Sequence, residues 1–194
     1  MMRRMKRNNQ PSEGPPGMIA GSKVRLRAKK LSDAQNDYRW QTDTDLVRLD
    51  ATLPLTMPYS RYLMEYSGEL HCPNPTRRFL GVETIDGEHI GNCVYYNGDR
   101  DKSEVELGIM IGNRDYWDAG YGADAVVTLV DYLFARTNLK RIYLKTLQWN
   151  QRAQKCFQKS GFTACGQVIK NGHDFLLMEI RRPQWKKKRA GACR

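Results

Sequence analysis

Two glycines separated by one residue, Gly120 and Gly122, follow a strand pattern and precede a helix pattern. Branched aliphatic residues occupy every second position over residues 104–111, which is typical of a strand with one buried face. Over residues 125–134, apolar side chains recur with the spacing of one helix face. The glycines let the chain bend tightly, and the first N–H groups of the helix lack partners within it. This arrangement suits a phosphate-bearing ligand, although an ordinary strand-to-helix turn has the same pattern.

The glycine spacing differs from two common phosphate-binding motifs. A dinucleotide-binding fold has a third glycine and a P-loop has Lys followed by Ser or Thr, and this segment has neither. A second informative segment follows a predicted strand at residues 141–147. Asn150 is placed to cap a helix whose predicted inner stripe includes Ala153 and Phe157.

The two segments read W-x-x-G-Y-G-A-D-A over residues 117–125 and N-x-R-A-x-x-x-F-x-K-x-G-F over residues 150–162. Together they resemble the GNAT family of N-acetyltransferases, in particular the branch that includes ribosomal-protein N-terminal and spermidine acetyltransferases. The resemblance extends over residues 23–181. Trp117 stands where the family usually has Gln or Arg, and this branch often has Trp there.

The resemblance implies the GNAT fold, an α/β (α+β) architecture with a central mixed, mostly antiparallel sheet and helices on both faces. It also implies acetyl-CoA as co-substrate, with its pantetheine arm paired to the backbone of residues 109–111 and its pyrophosphate at the amides of residues 118–123. The residues expected to bind the cofactor are Ile109, Met110, Ile111, Trp117, Asp118, Ala119, Gly120, Tyr121, Gly122, Ala123, Asn150, Ala153 and Phe157.

The catalytic residues are less well defined. Many family members have a Tyr seven residues after the Asn, which protonates the departing thiolate, and this chain has Phe157 there. A thiolate whose conjugate acid has a pKa of about 8.5 can leave without a proton donor, and water, or as a weaker alternative Cys156, could replace that acid. Glu106 resembles the central-strand Glu that activates water in several relatives and is the predicted base, with a plain surface role as the alternative. Asn150 is predicted to contact the cofactor or a bound water, a role compatible with capping the helix.

The remaining elements are expected to position this site. A first strand is predicted at residues 24–27, and a hairpin joins strands 78–83 and 89–96 at Asp86–Gly87. The strand at residues 141–147 should pair in parallel with the central strand, because a helix makes the crossover. Residues 162–180 should form a closing hairpin. Helices between residues 32 and 69 would form the acceptor side, as the resemblance implies.

The resemblance implies that the acceptor is a primary amine, and the weak acid and base set narrows the class of amine. An α-amine with a pKa of about 8 is roughly one-tenth neutral at pH 7, whereas a lysine-like amine is neutral at only about a few parts in ten thousand. A protein N-terminal α-amine is therefore favoured over small amines. Residues 32–69 contain no acid-rich run that would indicate a polyamine, though scattered acids could converge in the fold.

The composition is that of one folded domain without a membrane span. The chain has 194 residues, of which 40% are hydrophobic, and no apolar run approaches the length of a membrane helix. Its five cysteines are odd in number and lack C-x-x-C spacing, and no signal peptide is recognised, which favours reduced thiols in the cytoplasm. The three histidines lack metal-site spacing, so no metal is expected.

The net charge of +11 is concentrated at the two ends of the chain. Four basic residues lie in residues 1–9 and seven in residues 181–194, with no acid in either segment, so residues 10–180 are neutral. We therefore predict a disordered basic tail (1–20), an acetyltransferase domain (21–182) and a basic C-terminal tail (183–194). The tails could tether the protein to RNA or the ribosome, or simply keep it in solution.

Two alternatives to a catalytic acetyltransferase remain from the sequence. Phe157 makes a non-catalytic acyl-CoA-binding domain of the same fold conceivable. The basic tails alone point to an RNA- or ribosome-tethered interaction protein. The sequence also leaves open whether the chain forms a homodimer.

Overall fold

The computed structural model describes residues 17–96 and 103–192. Within these residues, eight strands form one sheet in the order β1-β2-β3-β4-β5-β6-β8-β7. The strands are β1 (Ile19–Ala20), β2 (Val24–Ala28), β3 (Arg77–Thr84), β4 (His89–Tyr96), β5 (Glu104–Ile111), β6 (Arg141–Leu147), β7 (Thr163–Lys170) and β8 (His173–Arg181). The helices of the same residues are α1 (Ala34–Thr42), α2 (Thr44–Leu49), α3 (Tyr59–His71), α4 (Tyr121–Arg136), α5 (Gln151–Ser160) and α6 (Arg182–Ala192).

The sheet is antiparallel except between β5 and β6, which α4 connects as a crossover. This is the mixed, mostly antiparallel sheet predicted from the sequence. The hairpin between β3 and β4 is also confirmed, and Gly87 in its turn has a φ of +91°, a left-handed conformation that glycine adopts without strain.

The parallel pairing of β5 with β6 is short. It covers only residues 104–106 opposite residues 141–143, although β5 continues to Ile111 and β6 to Leu147. Beyond Glu106 the two strands therefore diverge, which leaves one edge of β5 without a strand partner in the middle of the sheet.

The hydrophobic core lies between one face of the sheet and α4. The buried side chains of α4, among them Leu129, Leu133 and Phe134, pack on every second residue of the strands, such as Val105 and Leu107 of β5. The apolar side chains predicted to form one face of a helix therefore pack against the alternating apolar side chains predicted for the strand, and together they form one core layer.

The opposite face of the sheet carries a cluster of buried charges. Arg27 of β2 donates two hydrogen bonds to Asp33, at 2.7 and 2.8 Å, and also pairs with Glu83 of β3. Lys29 lies 2.8 Å from Asp37 of α1. These ion pairs join the segment leading into α1 to the sheet.

Two segments predicted as tails contribute to the domain. Ile19 of β1 pairs with Leu26, so order begins before residue 20. Helix α6 covers most of the predicted C-terminal tail, and its Trp185 packs against Phe134 with ring centroids 5.3 Å apart. Sequence reasoning missed this contact because one aromatic residue among many cations gives no periodic signal. The rest of the predicted tails, residues 1–16 and 193–194, lies outside the described residues.

None of the helices in the described ranges is long and apolar enough to cross a membrane.

Candidate active site

The divergence of β5 from β6 opens a cleft of about 450 Å³. Residues 107–111 of β5 and residues 145–147 of β6 line it, together with the start of α4 and one side of α5. The end of α2 lines the cleft as well. The cleft therefore coincides with the unpaired edge of β5 and with both segments singled out in the sequence.

The turn into α4 presents free backbone donors. Gly120 caps the helix with a φ of +87°, which explains why glycine is needed there. The amides of residues 121–123 donate no hydrogen bond to any described residue, since the first bond of the helix runs from Asp124 N to Gly120 O at 3.0 Å. Three free donors and the positive end of a 16-residue helix favour an anion at this point.

Trp117 fixes the loop that precedes this turn. Its indole Nε1 donates a hydrogen bond of 2.7 Å to the carbonyl oxygen of Ile111. The guanidinium of Arg152 lies 3.3 Å from the centre of the indole ring. Trp117 thus connects the end of β5, the loop and α5, a role that the sequence did not predict.

Helix α5 adds positive charge to the same part of the cleft. Arg152, Lys155 and Lys159 all line it, and their spacing of three and four residues places them along one side of the helix. Asp118 is the acid that lies near Arg152, and it adopts a left-handed φ of +57°. The spacing of these cations is visible in the sequence, so this group could have been predicted.

The backbone of β5 does not offer every residue to the cleft. Gly112 N donates to Ile90 O at 2.9 Å, and hydrogen-bonded pairs alternate along an antiparallel ladder. Met110 therefore directs its main-chain groups toward β4, while Ile109 and Ile111 direct theirs toward the diverging side. The carbonyl of Ile111 already accepts a hydrogen bond from Trp117. The backbone groups left to bind an extended ligand are therefore the N–H and C=O of Ile109 and the N–H of Ile111.

Asn150 and its neighbours form the wall from α5. The Oδ1 of Asn150 accepts a hydrogen bond of 3.1 Å from Ala153 N, so it caps α5 as predicted. Its Nδ2 donates to no described residue, and the side chain lines the cleft. Phe157 and Ala153 also line it, and Phe157 packs against Phe162 in the core. Burial raises the pKa of the Cys156 thiol to about 11, so Cys156 is protonated at neutral pH.

Glu106, the predicted base, forms an ion pair. Lys145 Nζ donates to Glu106 Oε2 at 2.6 Å, and Lys145, rather than Glu106, lines the cleft. A catalytic role for Glu106 stays a prediction.

Two of the predicted cofactor residues do not line the cleft. The carbonyl of Ala119 accepts a hydrogen bond of 2.8 Å from Lys23, and the ring of Tyr121 packs edge-on against Tyr116. Their side chains support the turn from outside, while their backbone remains part of it. The other predicted residues, from Ile109 to Phe157, do line the cleft.

Asp50, at the end of α2, is a cleft residue that sequence reasoning missed. Burial, followed by the negative charges of Asp50 and Glu106, raises the pKa of Tyr96, which lies opposite Glu106 in the β4–β5 register. Asp50 is therefore near the start of the open part of β5. Ile111 lies five residues beyond Glu106 along the strand, or about 17 Å away. The turn into α4 comes after Ile111. No periodic signal in α2 could have indicated this position.

Among the residues that the structure describes, no group of three or more His, Cys, Asp or Glu side chains could hold a metal ion.

A family model described as an acetyltransferase (GNAT) domain matches residues 23–163, which include the cleft. The chain belongs to the GNAT family. As a GNAT enzyme it is an acetyltransferase, and acetyl-CoA is its co-substrate. The amides of the turn, the cations of α5 and the free edge of β5 fit the phosphates and the extended arm of that molecule.

Curated relatives of this GNAT protein include an uncharacterised N-acetyltransferase, p20 of Bacillus licheniformis. It is 28% identical over 145 residues, or 72% of this chain and 81% of p20. The spermine/spermidine N(1)-acetyltransferase of Bacillus subtilis strain 168 is 23% identical over 121 residues, or 62% of this chain and 80% of the relative.

Solved structures show the same fold at low identity. The spermidine N-acetyltransferase of Vibrio cholerae, in complex with CoA and spermine, superposes with a TM-score of 0.73 at 20% identity and covers 85% of this chain and 99% of its own. The aminoglycoside acetyltransferase AAC(6')-Ib, in complex with coenzyme A, gives a TM-score of 0.72 at 20% identity over 86% and 99% of the two chains. The narrower placement in a ribosomal-protein branch stays a prediction.

Proposed function

We propose that this GNAT protein transfers an acetyl group from acetyl-CoA to a primary amine, with protein N-terminal α-amines favoured over small amines. The observation that carries the proposal is the charge distribution of the cleft. Free amides and three cations lie at its α4–α5 side, while the carboxylate of Asp50 lies near the start of the open β5 edge. An anionic co-substrate and a cationic acceptor would therefore be drawn to different parts of one cleft.

Acetyl-CoA supplies the activated acetyl thioester. The amides of residues 121–123, with Arg152, Lys155 and Lys159, would bind its phosphates. The free groups of Ile109 would pair with its amide arm, and Asn150 Nδ2 can donate a hydrogen bond into the cleft. Since Phe157 has no hydroxyl, the thiolate would leave without a proton from that position. A thiolate whose conjugate acid has a pKa of about 8.5 can do so.

The preference for an α-amine rests on protonation. At pH 7 a larger fraction of an α-amine than of a lysine-like amine is already neutral. An α-amine therefore depends less on a strong base in the cleft to remove its proton. Two acids from residues 32–69 do come together in the fold, because Asp33 and Asp37 both lie within 4 Å of Lys29. They are paired there with Arg27 and Lys29, so they are not free to bind a polyamine.

Relatives and structural neighbours include enzymes named for spermine, spermidine and aminoglycosides, so these amines belong in the test. Thiol release from acetyl-CoA should be measured with short peptides of free N-terminus, with spermidine and with kanamycin. Highest kcat/KM for a peptide supports the preference, and highest kcat/KM for a small amine contradicts it. Acetyl-CoA binding without thiol release for any amine would favour the non-catalytic alternative.

A contact with RNA or the ribosome is the second candidate function. Helix α6 presents Lys186, Lys187 and Lys188 on its exposed surface, and none of the three forms an ion pair with a described residue. Phosphate contacts by these cations should give RNA binding that weakens steeply with salt. Filter binding of RNA at 50 and 200 mM salt, with Ala at all three positions as the comparison, tests this.

A further inference from the structure

Asp50 is a cleft carboxylate on the acceptor side of the molecule whose position is set by the backbone. It follows the last turn of α2, and its N–H donates to Leu46 O at 3.2 Å and to Val47 O at 3.1 Å. The next residue, Ala51, has a φ of +54°, a left-handed conformation that costs a residue with a Cβ about 1 kcal/mol. The chain thus keeps an unfavourable turn directly beside the cleft, a feature that clusters at functional sites.

The carboxylate of Asp50 is unpaired, in contrast to its neighbours. Within the described part of the chain it has no salt bridge and no side-chain hydrogen bond. Glu106 is paired with Lys145, and Asp37 is paired with Lys29. Among the described acids on this side of the cleft, Asp50 is therefore the one that can meet an incoming cation without first breaking an ion pair.

Partial desolvation in the cleft raises the pKa of Asp50 to about 6, although the accessible surface of this residue is that of an exposed side chain. Such a carboxylate is mostly ionised at pH 7 and is a stronger base than an ordinary aspartate by about a hundredfold. The ionisable groups that face this region are Tyr96 from β4, Glu106 from β5 and Lys145 from β6.

We infer that Asp50, rather than Glu106, binds the ammonium group of the acceptor and accepts its proton, an assignment that rests on the proposed function. A proton passes from the ammonium nitrogen to Asp50, which leaves a neutral amine. The amine nitrogen forms a bond to the acetyl carbon while the carbon–sulfur bond breaks, and the electron pair goes to sulfur. The second amine proton goes to the thiolate, and Asp50 returns its proton to solvent.

The test compares four variants with the wild type in thiol release over pH 5–9, using the best amine of the panel. We expect Asp50→Asn to lower kcat by about a hundredfold and to remove the acidic limb of the kcat profile near pH 6. Asp50→Glu should retain activity within about tenfold. Glu106→Gln should also stay within about tenfold and keep the acidic limb. Asp45→Asn removes an exposed carboxylate of the same helix outside the cleft and should be unchanged.

A second readout does not depend on turnover. Carbon-13 NMR of aspartate carboxyls in the free protein, with Asp50→Asn to assign the signal, should show Asp50 titrating near pH 6. Titration near pH 4, or Asp50→Asn with wild-type kcat and an intact acidic limb, would overturn the assignment. A change in KM alone would also overturn it, because Asp50 would then only bind the amine. Absence of turnover by the wild type with every amine would overturn the proposed function, and this assignment with it.

Discussion

Replacing Arg27 with Met should destabilise the protein strongly, because it removes a buried cation but leaves its acids. The side chains of Arg27, Asp33 and Glu83 are 7%, 2% and 5% exposed, so water cannot replace the lost partner. Breaking one side of a buried ion pair costs about 3–5 kcal/mol. Lys29 at 3.6 Å from Asp33 and Lys30 at 3.8 Å from Glu83 offset part of this cost, so we expect about 3 kcal/mol.

Urea unfolding at pH 7 measures this loss, which should also lower Tm by about 6–12 °C. Arg25→Met is the matched control, since Arg25 lies on the same strand and the same side, two residues earlier, and forms no salt bridge with a described residue. It should change stability by less than about 0.5 kcal/mol. A loss below about 1 kcal/mol for Arg27→Met would refute the argument that these charges are desolvated and mutually dependent.

The pH dependence provides a separate check of the same cluster. The hydrogen bond from Arg27 and the charge of Lys29 outweigh burial and lower the pKa of Asp33 to about 2. The unfolded chain therefore binds more protons than the native state between about pH 4 and pH 2. This stabilisation, about 2 kcal/mol, is fully present above pH 4 and is lost as pH falls through 2. Arg27→Met should flatten the stability curve in that window.

Three further substitutions test other parts of the structure. Gly122→Val should weaken acetyl-CoA binding in calorimetry by at least about tenfold with little effect on Tm, because the added Cβ fits 3.4 Å from Cys156 Sγ while the extra methyls enter the cleft. Unchanged affinity would contradict the cofactor site, and Gly122→Ala is the control. Asn150→Ala should destabilise the protein by about 1 kcal/mol through loss of the cap and also weaken acetyl-CoA binding, whereas Asn150→Asp should restore only the stability. Trp185→Ala should cost about 2 kcal/mol in urea unfolding, because it removes the contact with Phe134 and the hydrogen bond to Asp131. No change would mean that α6 behaves as a separate tail.

The elements around the cofactor turn were predictable because each depends on local chemistry. The two-residue alternation of β5, the helical stripe of α4 and the Asn150 cap each depend on residues that are close together in the sequence. The left-handed conformation at Gly120 follows from the same local sequence. The resemblance then identified the family, because its two motifs fall on these local features.

The environment of the cleft beside α2 was decided by tertiary structure alone. Asp50 and Glu106 are distant in sequence, and only the fold shows that one is unpaired in the cleft while the other is paired with Lys145. The pairing of Arg27 with Asp33 and Glu83, and the packing of Trp185 on α4, likewise join residues that share no period. The types and positions of the charged residues are set by the sequence. Whether each charge is neutralised, desolvated or free to react depends on the distances that the folded chain imposes between them.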